Sequence, residues 1–483
     1  MKLKFISEPS MTRGASPNCL PITSLTDGGT GSLPVVWRSP ELGRMPTPPR
    51  TTGNSDVHPM PPAAEKHRCG RLRLALVSCS PPIHREHARS RAGRRPFLGS
   101  REPAADAAAP GLFLAPSPMN RFRPLSSFVL GLLLSAPAAC AADAAVLSLM
   151  ERVADWQLAH PKQGEAPDGW VNGAFYVGVM ALARDSSSPR FHDAMLKMAE
   201  ANHWQLASRP YHADDHIVGQ TYLELYLQHR EPPMLAPTRQ RFDFILAHPK
   251  DDNLSFDEAQ NPDRLDRWSW CDALFMAPPT WALLWKATDD AAYLDFAVSK
   301  WWVTSDFLYD RQEHLFRRDS SLFGKTEKNG RKIFWSRGNG WVIAGLARML
   351  ELLPADHPAR HRFEQQFREM ADAVLPCQQA DGFWRSSLLD PTSYPMQETS
   401  GTAFYCYALA WGLNHGLLDP ARTEPAVRRA WAALTNCVTV EGRLTHVQPV
   451  GFTPVTFDPD STEPFGVGAF LLAGSEVRRL GAR

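Results

Sequence analysis

The amino-acid sequence predicts an all-α protein, and more narrowly an (α/α)6 barrel in which six outer helices surround six inner ones. Two observations lead to this fold class. From residue 143 onward, apolar residues recur at spacings of three and four, as in Val342, Ile343, Leu346 and Leu350, which is typical of helices. In addition, two kinds of helical segment alternate along the chain, and that alternation predicts the barrel.

The inner helices are predicted to begin just after small or polar clusters, near residues 170, 214, 270, 338, 400 and 464. They are rich in glycine, alanine and aromatic residues and poor in charge, which is typical of buried helices. The outer helices are predicted at 145–159, 190–204, 238–247, 291–303, 361–377 and 425–437, where charged residues lie on one face. A helical solenoid is the weaker alternative because no segment repeats the residues of another.

In such a barrel the loops that enter the inner helices share one rim. The clusters that precede these helices are therefore expected to converge on one cup. They lie at 168–170, 212–216, 268–272, 335–341, 397–402 and 460–464. Because aromatic residues, carboxylates and an arginine are the side chains that sugar sites use, the cup is predicted to bind a carbohydrate.

The N-terminal region differs from the rest of the chain. Residues 1–118 are rich in proline, arginine, serine and alanine without sustained apolar periodicity, so they are predicted to be disordered. Residues 119–142 combine a basic start, a short apolar stretch and small residues, which indicates a secretory signal peptide. Because such peptides lie at N-termini, we expect translation to begin at Met119, with 1–118 a mis-called upstream extension and 143–483 the catalytic domain of a periplasmic or secreted protein. A membrane-anchoring helix is the alternative, but the apolar run is shorter than the roughly 18 to 20 residues that a span needs.

Composition excludes several classes of partner. The chain has 52 basic and 51 acidic residues and a net charge of +1, so no global field attracts nucleic acid or an anionic membrane. We predict neither a nucleic-acid partner nor an integral membrane partner. Cys271, Cys377, Cys406 and Cys437 lack the spacing of a metal site. Three of the four lie in helical apolar patterns and are interpreted as core residues, with a disulfide left open. Lipid attachment at Cys140 is disfavoured by a proline where a lipobox needs an aliphatic residue.

The segment WSWCDALFMAPP at 268–279 places Asp272 among tryptophan, phenylalanine and methionine residues. Burial against apolar surface destabilises an ionised carboxylate and raises its pKa, as general acid catalysis requires. The alternative is a helix cap, or a buried acid paired with an arginine such as Arg264 or Arg267. We interpret Asp272 as the general acid because carboxyls of this kind concentrate in clefts.

The segment YHADDHIVGQ at 211–220 places Asp214 and Asp215 at the start of an inner helix, where free backbone N–H groups bind carboxylates. One helix start rarely needs two caps, so we assign Asp214 to the cap and Asp215 to the cup. His212 and His216 are four residues apart, but Ala213 stands where the metalloprotease motif needs glutamate. We therefore predict no metal.

The segment WSRGNGW at 335–341 places Arg337 between Trp335 and Trp341. A guanidinium fork flanked by indoles suits a planar, carboxylated sugar ring. The alternative is that Arg337 braces the backbone of a glycine-rich turn. Glu398 and Glu463 stand just before helix starts and are interpreted as structural.

Four ordered motifs, DDHIVGQ, WSWCDALFMAPP, WSRGNGW and QETSGTAFYCYALAWGL, together resemble the pattern of glycoside hydrolase families 88 and 105, the unsaturated uronyl and rhamnogalacturonyl hydrolases. The resemblance covers nearly all of residues 145–480. It implies an (α/α)6 barrel without a cofactor. The implied activity removes 4,5-unsaturated uronic acid from the non-reducing ends that polysaccharide lyases leave on oligosaccharides.

The resemblance also implies roles for individual residues. Asp272 corresponds to the catalytic acid, and Asp215 corresponds to the second catalytic aspartate. The predicted substrate-binding residues are Trp170, His216, Trp268, Trp335, Arg337 and Trp341. The sequence departs from the family pattern at 315–320, where better-known members carry a histidine near the sugar and this chain has Arg-Arg-Asp at 317–319.

The expected reaction is hydration of a vinyl ether: Asp272 protonates C4, water adds at C5, and the resulting hemiketal opens to release the leaving sugar. One alternative is an inverting glycosidase with Glu398 or Glu463 as its base, and another is a secreted sugar-binding protein without activity. The leaving sugar, the galacturonyl or glucuronyl origin of the ring and the oligomeric state are left open by the sequence.

Overall fold

The computed structural model describes the backbone of residues 126–481 and the side chains from residue 143 onward. The predicted disordered segment 1–118 and the start of the predicted signal peptide lie outside the described residues. The remainder of that peptide falls in the first helix, α1 (Ser126–Ala159). The signal peptide and the domain boundaries therefore stay predictions.

Two layers of helices build the domain. Within the described residues, the inner ring consists of α2 (Trp170–Asp185), α4 (Val218–His229), α7 (Pro278–Thr288), α9 (Ser336–Leu352), α11 (Thr399–Asn414) and α13 (Pro464–Gly481). Each contacts the next, and α13 closes the ring against α2. The outer layer consists of α1, α3 (Arg190–Ala201), α5 (Pro232–Ala247), α8 (Ala291–Leu308), α10 (Arg360–Val374) and α12 (Pro420–Thr435). The predicted (α/α)6 barrel is confirmed.

The two layers differ in burial as their compositions predict. In α11 every residue from Thr399 to Leu413 is buried. In α10, by contrast, Phe363, Phe367 and Met370 are buried on one face while the charged residues lie on the other. A helix that is apolar on all sides needs neighbours on all sides, which the second layer supplies.

Close packing of α2 against α13 depends on two glycines. A Cβ atom on Gly468 would lie 2.2 Å from the carbonyl oxygen of Ala174, and one on Gly178 would lie 2.3 Å from the carbonyl oxygen of Gly468. Neither distance leaves room for a side chain. The ring therefore closes at a point where the two backbones are in direct contact.

The rim segments before two inner helices are irregular. A 3-10 turn, Ala213–His216, leads into α4. The third inner helix is broken into α6 (Ala273–Met276) and α7, with Asp272 directly before α6. Prolines at the first two positions of α7 lack the N–H that would continue the preceding turn, which explains the break.

A short hairpin lies against the start of α9. Its strands, β1 (Tyr309–Asp310) and β2 (Leu315–Phe316), pair antiparallel. The Asn339 side chain accepts from the N–H of Phe316 at 2.7 Å and donates to its carbonyl oxygen at 3.0 Å. Beyond β2, the carbonyl of Arg318 accepts from the N–H of Cys271 at 2.8 Å. The hairpin therefore delivers residues 317–319 to the start of α6.

Three of the four cysteines were expected to be core residues. Within the described part of the chain, Cys271, Cys377, Cys406 and Cys437 are free thiols, and three of the four are buried. No helix in that part is long and apolar enough to cross a membrane.

Candidate active site

A cup of about 540 Å³ opens at the rim where the inner helices begin. Its walls are aromatic, and its charged groups are two carboxyls and two guanidinium groups. The tryptophans are Trp170, Trp270, Trp335 and Trp341, the charged residues are Asp214, Asp272, Arg318 and Arg337, and a loop at 450–452 covers one side. The rim therefore brings together segments that are distant in sequence, as the barrel predicts.

Asp272 lies on the wall of this cup and is 8% exposed. Burial raises its pKa, while the guanidinium of Arg318, a backbone hydrogen bond and the charge of Arg337 oppose that rise. Its Oδ2 atom lies 3.5 Å from Nε of Arg318 and accepts a weak bond from the Cys271 thiol at 3.6 Å. Asp272 is therefore a desolvated carboxyl that faces a ligand cavity, the environment expected of a general acid.

Asp214 is the second carboxyl of the cup. Burial, reinforced by the negative charge of Asp272, raises the pKa of Asp214 to about 7. Its Oδ1 atom is buried and has no hydrogen-bond partner among the described residues. The Asp214 carboxyl can therefore form a hydrogen bond with a ligand bound in the cup.

The expectation that Asp214 caps the helix while Asp215 faces the cup was wrong. The cap is His212, whose Nδ1 accepts from the N–H of Asp214 at 3.3 Å. Asp215 is turned away from the cup and is held by Arg209, which donates its backbone N–H at 2.7 Å and its guanidinium to the carboxylate. Successive side chains on a tight turn point in different directions, and only Asp214 lines the cup.

His216 and Trp268 also lie outside the lining of the cup. They border a separate small cavity beside Tyr211. Nε2 of His216 donates to the carbonyl of Pro210 at 2.8 Å, and burial lowers the pKa of His216 to about 4. His216 is therefore a neutral ring with a structural bond, and the expectation that it and Trp268 contact the substrate has no support in this geometry.

Arg337 lines the cup, but its two terminal nitrogens are occupied. Nη1 donates to the carbonyl of Gln448, and Nη2 donates to the carbonyl of Pro449 at 2.8 Å. The same loop is held by Trp335, whose Nε1 donates to Oε1 of Gln448 at 3.1 Å. Of the two interpretations of Arg337, the structure therefore favours the brace: it fixes the loop that covers the cup.

The predicted aromatic residues are brought together. Trp341 is 1% exposed and packs on Phe404 with ring centroids 4.2 Å apart. Trp170 is partly exposed and stacks on Phe465 at 5.3 Å. Trp170 is therefore placed to meet a ring in the cup, while Trp341 forms the supporting layer behind it.

The two glutamates have structural roles, as predicted. Glu398 is fully buried and caps α11, accepting from the backbone N–H groups of Ser400 and Gly401 at 2.9 and 2.7 Å. Glu463 accepts from Nζ of Lys162 at 2.7 Å. Neither lines the cup. In the described part of the chain, no group of three or more His, Cys, Asp or Glu residues is arranged to hold a metal ion.

Comparison with known proteins identifies the family. The pattern of Glycosyl Hydrolase Family 88 matches residues 143–481. The chain belongs to glycosyl hydrolase family 88. The resemblance drawn from the four motifs is thereby confirmed, and the chain is a glycoside hydrolase.

Individual relatives and a solved structure agree with this assignment. An unsaturated 3S-rhamnoglycuronyl hydrolase of Formosa agariphila is 42% identical over 339 residues, covering 68% of this chain and 90% of the relative. A protein of the same name from an Alteromonas species is 35% identical over 347 residues, covering 68% and 84%. The solved structure of a glycosyl hydrolase family 88 protein from Bacteroides vulgatus has a TM-score of 0.63 at 30% identity, covering 70% of this chain and 99% of that one.

Sequence reasoning missed three features of this family 88 site. Arg318 was noticed as a departure from the family pattern but was not assigned to the site. Trp270 was noticed as a neighbour of Asp272, and its spacing of two residues from that acid is a signal that it shares the same wall. The loop at 450–452 carries no motif, and its place in the cup depends on the Arg337 brace more than 100 residues away in sequence.

The two neighbouring aspartates of this family 88 enzyme are expected to respond differently to amide substitution. Asp214→Asn should leave the unfolding free energy unchanged or raised, because it removes a desolvated carboxyl, and should lower kcat at least about tenfold. Asp215→Asn should lower the unfolding free energy by about 1–3 kcal/mol because it weakens the bond to Arg209, with most activity kept in the folded protein. Denaturant unfolding and steady-state kinetics of both variants check this. Loss of kcat in a stable Asp215→Asn protein, with full activity in Asp214→Asn, would reverse the assignment.

Proposed function

We propose that this glycoside hydrolase releases 4,5-unsaturated uronic acid from the non-reducing ends of lyase-generated oligosaccharides, using Asp272 as the proton donor. The observation that carries the proposal is the placement of a desolvated carboxyl, Asp272, in an aromatic cup beside two guanidinium groups. Relatives that carry the name unsaturated rhamnoglycuronyl hydrolase support the substrate class.

The hydration of a 4,5-unsaturated uronide can be carried out by a single carboxyl that first donates and then accepts a proton. A 4,5-unsaturated uronide is a vinyl ether, so transfer of the Asp272 proton to C4 places positive charge on C5 that the ring oxygen shares. Water then adds at C5 and loses a proton to the Asp272 carboxylate, which restores the acid. The C5 hemiketal opens to a ketone, and the hemiacetal at C1 expels the leaving sugar as an alcohol. The unpartnered carboxyl of Asp214 is placed to orient the sugar or to stabilise the developing charge.

The competing inverting mechanism needs a second carboxylate as a base for direct attack at C1. Glu398 and Glu463 were the two candidates for that base. Glu398 caps α11 and Glu463 binds Lys162, so both are engaged away from the cup. Neither predicted base therefore lies in the cup, and the relatives named unsaturated 3S-rhamnoglycuronyl hydrolase favour hydration over direct displacement. Family membership favours an enzyme over a binding protein without activity.

Replacing Asp272 by asparagine tests the proposal. The variant should lose about 10²–10⁴-fold in kcat, because the amide cannot deliver a proton, and should still bind the oligosaccharide. Loss of the ultraviolet absorbance of the conjugated double bond follows turnover, and calorimetry follows binding. The exposed Asp263, whose side chain forms ion pairs with Lys250 and Arg267, provides the control variant Asp263→Asn, which should behave as the wild type. Wild-type turnover in Asp272→Asn, or a rise in absorbance that marks a lyase, would refute the mechanism.

We further propose that the leaving sugar is a 6-deoxy sugar such as rhamnose. The mouth of the cup carries two exposed apolar side chains, Val450 and Phe452, which are 51% and 62% exposed. Exposed apolar groups at the edge of a polar cup suit a sugar that carries a methyl group. The names of the Formosa agariphila and Alteromonas relatives, unsaturated 3S-rhamnoglycuronyl hydrolase, also point to a rhamnose unit.

Phe452→Ser is expected to raise KM severalfold for an unsaturated uronyl-rhamnose substrate, because it removes the surface on which the methyl group packs. The same change should affect a uronyl-galactose substrate much less. The control is Val440→Ser, which alters a side chain that is 88% exposed and outside the cup. Equal effects of Phe452→Ser on the two substrates would count against rhamnose.

We propose that the enzyme is exported, on the basis of the predicted signal peptide at 119–142. Expression from Met119 in a bacterial host, followed by N-terminal sequencing of the periplasmic protein, should yield a chain that begins close to residue 143. A protein that stays in the cytoplasm with its first residues intact would exclude export through this segment.

A further inference from the structure

The cup holds two arginines, and they differ in how fully the described residues occupy their terminal nitrogens. Both terminal nitrogens of Arg337 donate to backbone carbonyls of the covering loop. Burial also lowers the pKa of Arg337 to about 10, so this group already lies in poorly solvated surroundings. A bidentate bond from Arg337 to a substrate carboxylate would require the brace to break. The fork-shaped contact that the sequence suggested for Arg337 therefore has to come from another residue.

Arg318 has a terminal nitrogen that is not occupied by any described residue. Nε of Arg337 is buried without a hydrogen-bond partner among the described residues, but Arg337 is 1% exposed, whereas the Arg318 side chain is 16% exposed and its Nη2 donates to no described residue. Its Nη1 donates to Oδ2 of Asp319 at 2.8 Å, which fixes the guanidinium plane. Its Nε is buried and makes no hydrogen bond to any described residue, although it lies 3.5 Å from Oδ2 of Asp272. Nε therefore faces Asp272, and the partly exposed Nη2 is the donor that a ligand in the cup can reach.

The surroundings of Arg318 give it a defined position. Its backbone is held by the N–H of Cys271, and its guanidinium lies near the Phe256 ring at 5.0 Å and the Phe452 ring at 5.8 Å. The side chain is 16% exposed. A cation that is fixed by an ion pair and aromatic faces, and that borders the cup, is preorganised for an anion.

We propose that Arg318 binds the carboxylate of the unsaturated uronic acid and thereby makes a carboxylated ring the required occupant of the cup. This assignment rests on the proposed function and specifies the group that selects its substrate. It places the carboxylate at C5 of the sugar beside Asp272, whose proton goes to the neighbouring carbon, C4.

The same contact links substrate binding to the state of the acid. Burial raises the pKa of Asp272, and the Arg318 guanidinium is the strongest influence that opposes the rise. When a substrate carboxylate pairs with Arg318, the positive charge that favours ionised Asp272 is offset. Asp272 then keeps its proton while an anionic substrate is bound beside it.

The test compares substrates with and without the negative charge. Specificity constants are measured on an unsaturated disaccharide with a free carboxylate and on its carboxyl methyl ester. The wild type should prefer the free acid by at least about tenfold, since a charge-assisted bond is lost in the ester. Arg318→Gln should bring the preference to within about threefold by slowing the free acid. Arg318→Lys, which keeps the charge without the fork, should retain an intermediate preference.

Two controls separate this role from a structural one. Arg311→Gln changes an exposed arginine of the same hairpin, paired only with Asp306, and should keep the wild-type preference. Arg337→Lys should slow the turnover of both substrates by a similar factor because it loosens the covering loop.

The pH profile gives a further readout. In Arg318→Gln, its alkaline limb should move to higher pH because loss of the guanidinium favours protonated Asp272. A packing defect alone would not produce this change.

The outcomes are distinct. An unchanged acid-to-ester preference in both Arg318→Gln and Arg318→Lys overturns the assignment of Arg318 while leaving the proposed function intact. A wild type that turns over neither substrate refutes the proposed function itself, and the assignment with it. A preference that disappears in Arg337→Lys and persists in the Arg318 variants transfers the role to Arg337.

Discussion

The desolvation of one carboxyl, Asp272, is the constraint on which the rest of the site depends. An ionised aspartate in bulk water is a poor proton donor at neutral pH, so the fold must withhold water from this side chain. It does so by placing Asp272 directly before a broken inner helix, where tryptophan side chains form the walls of the cup. The barrel provides this environment because its six inner helices begin around one rim, so that each contributes part of an enclosure that no single helix can build.

The charged groups of the cup have opposing effects on the pKa of Asp272. Asp214 adds a second desolvated carboxyl, and Arg318 adds a cation that opposes both rises in pKa. Without a cation, the two carboxyls would make the binding of an anionic substrate unfavourable. Without the carboxyls, the cup would hold no proton to transfer to the substrate. Arg337 contributes through geometry, since its bonds to the loop at 448–449 hold the cover of the cup in place.

The fold was predictable from sequence because the helices alternate between apolar and amphipathic compositions, which distinguish buried helices from exposed ones. The four motifs, in their order along the chain, then indicated the family. Asp272 was found because its neighbours in sequence are also its neighbours in space. The prediction that Asp215 rather than Asp214 faces the cup failed because sequence does not show in which direction adjacent side chains on a 3-10 turn point. The bond from Arg209 that turns Asp215 away exists only in the folded chain. The brace formed by Arg337 could not be chosen from sequence over a contact with substrate, because the carbonyls that it binds lie more than 100 residues later in the chain.

The most direct test of the central claim is the titration of the Asp272 carboxyl in the free enzyme. It can be followed by NMR with ¹³C-labelled aspartate and assigned by the resonance that disappears in Asp272→Asn. The account predicts that this resonance titrates above the ordinary aspartate value of 3.8. A midpoint at or below that value would show that Asp272 is ionised where it should carry a proton, and would contradict its role as the acid.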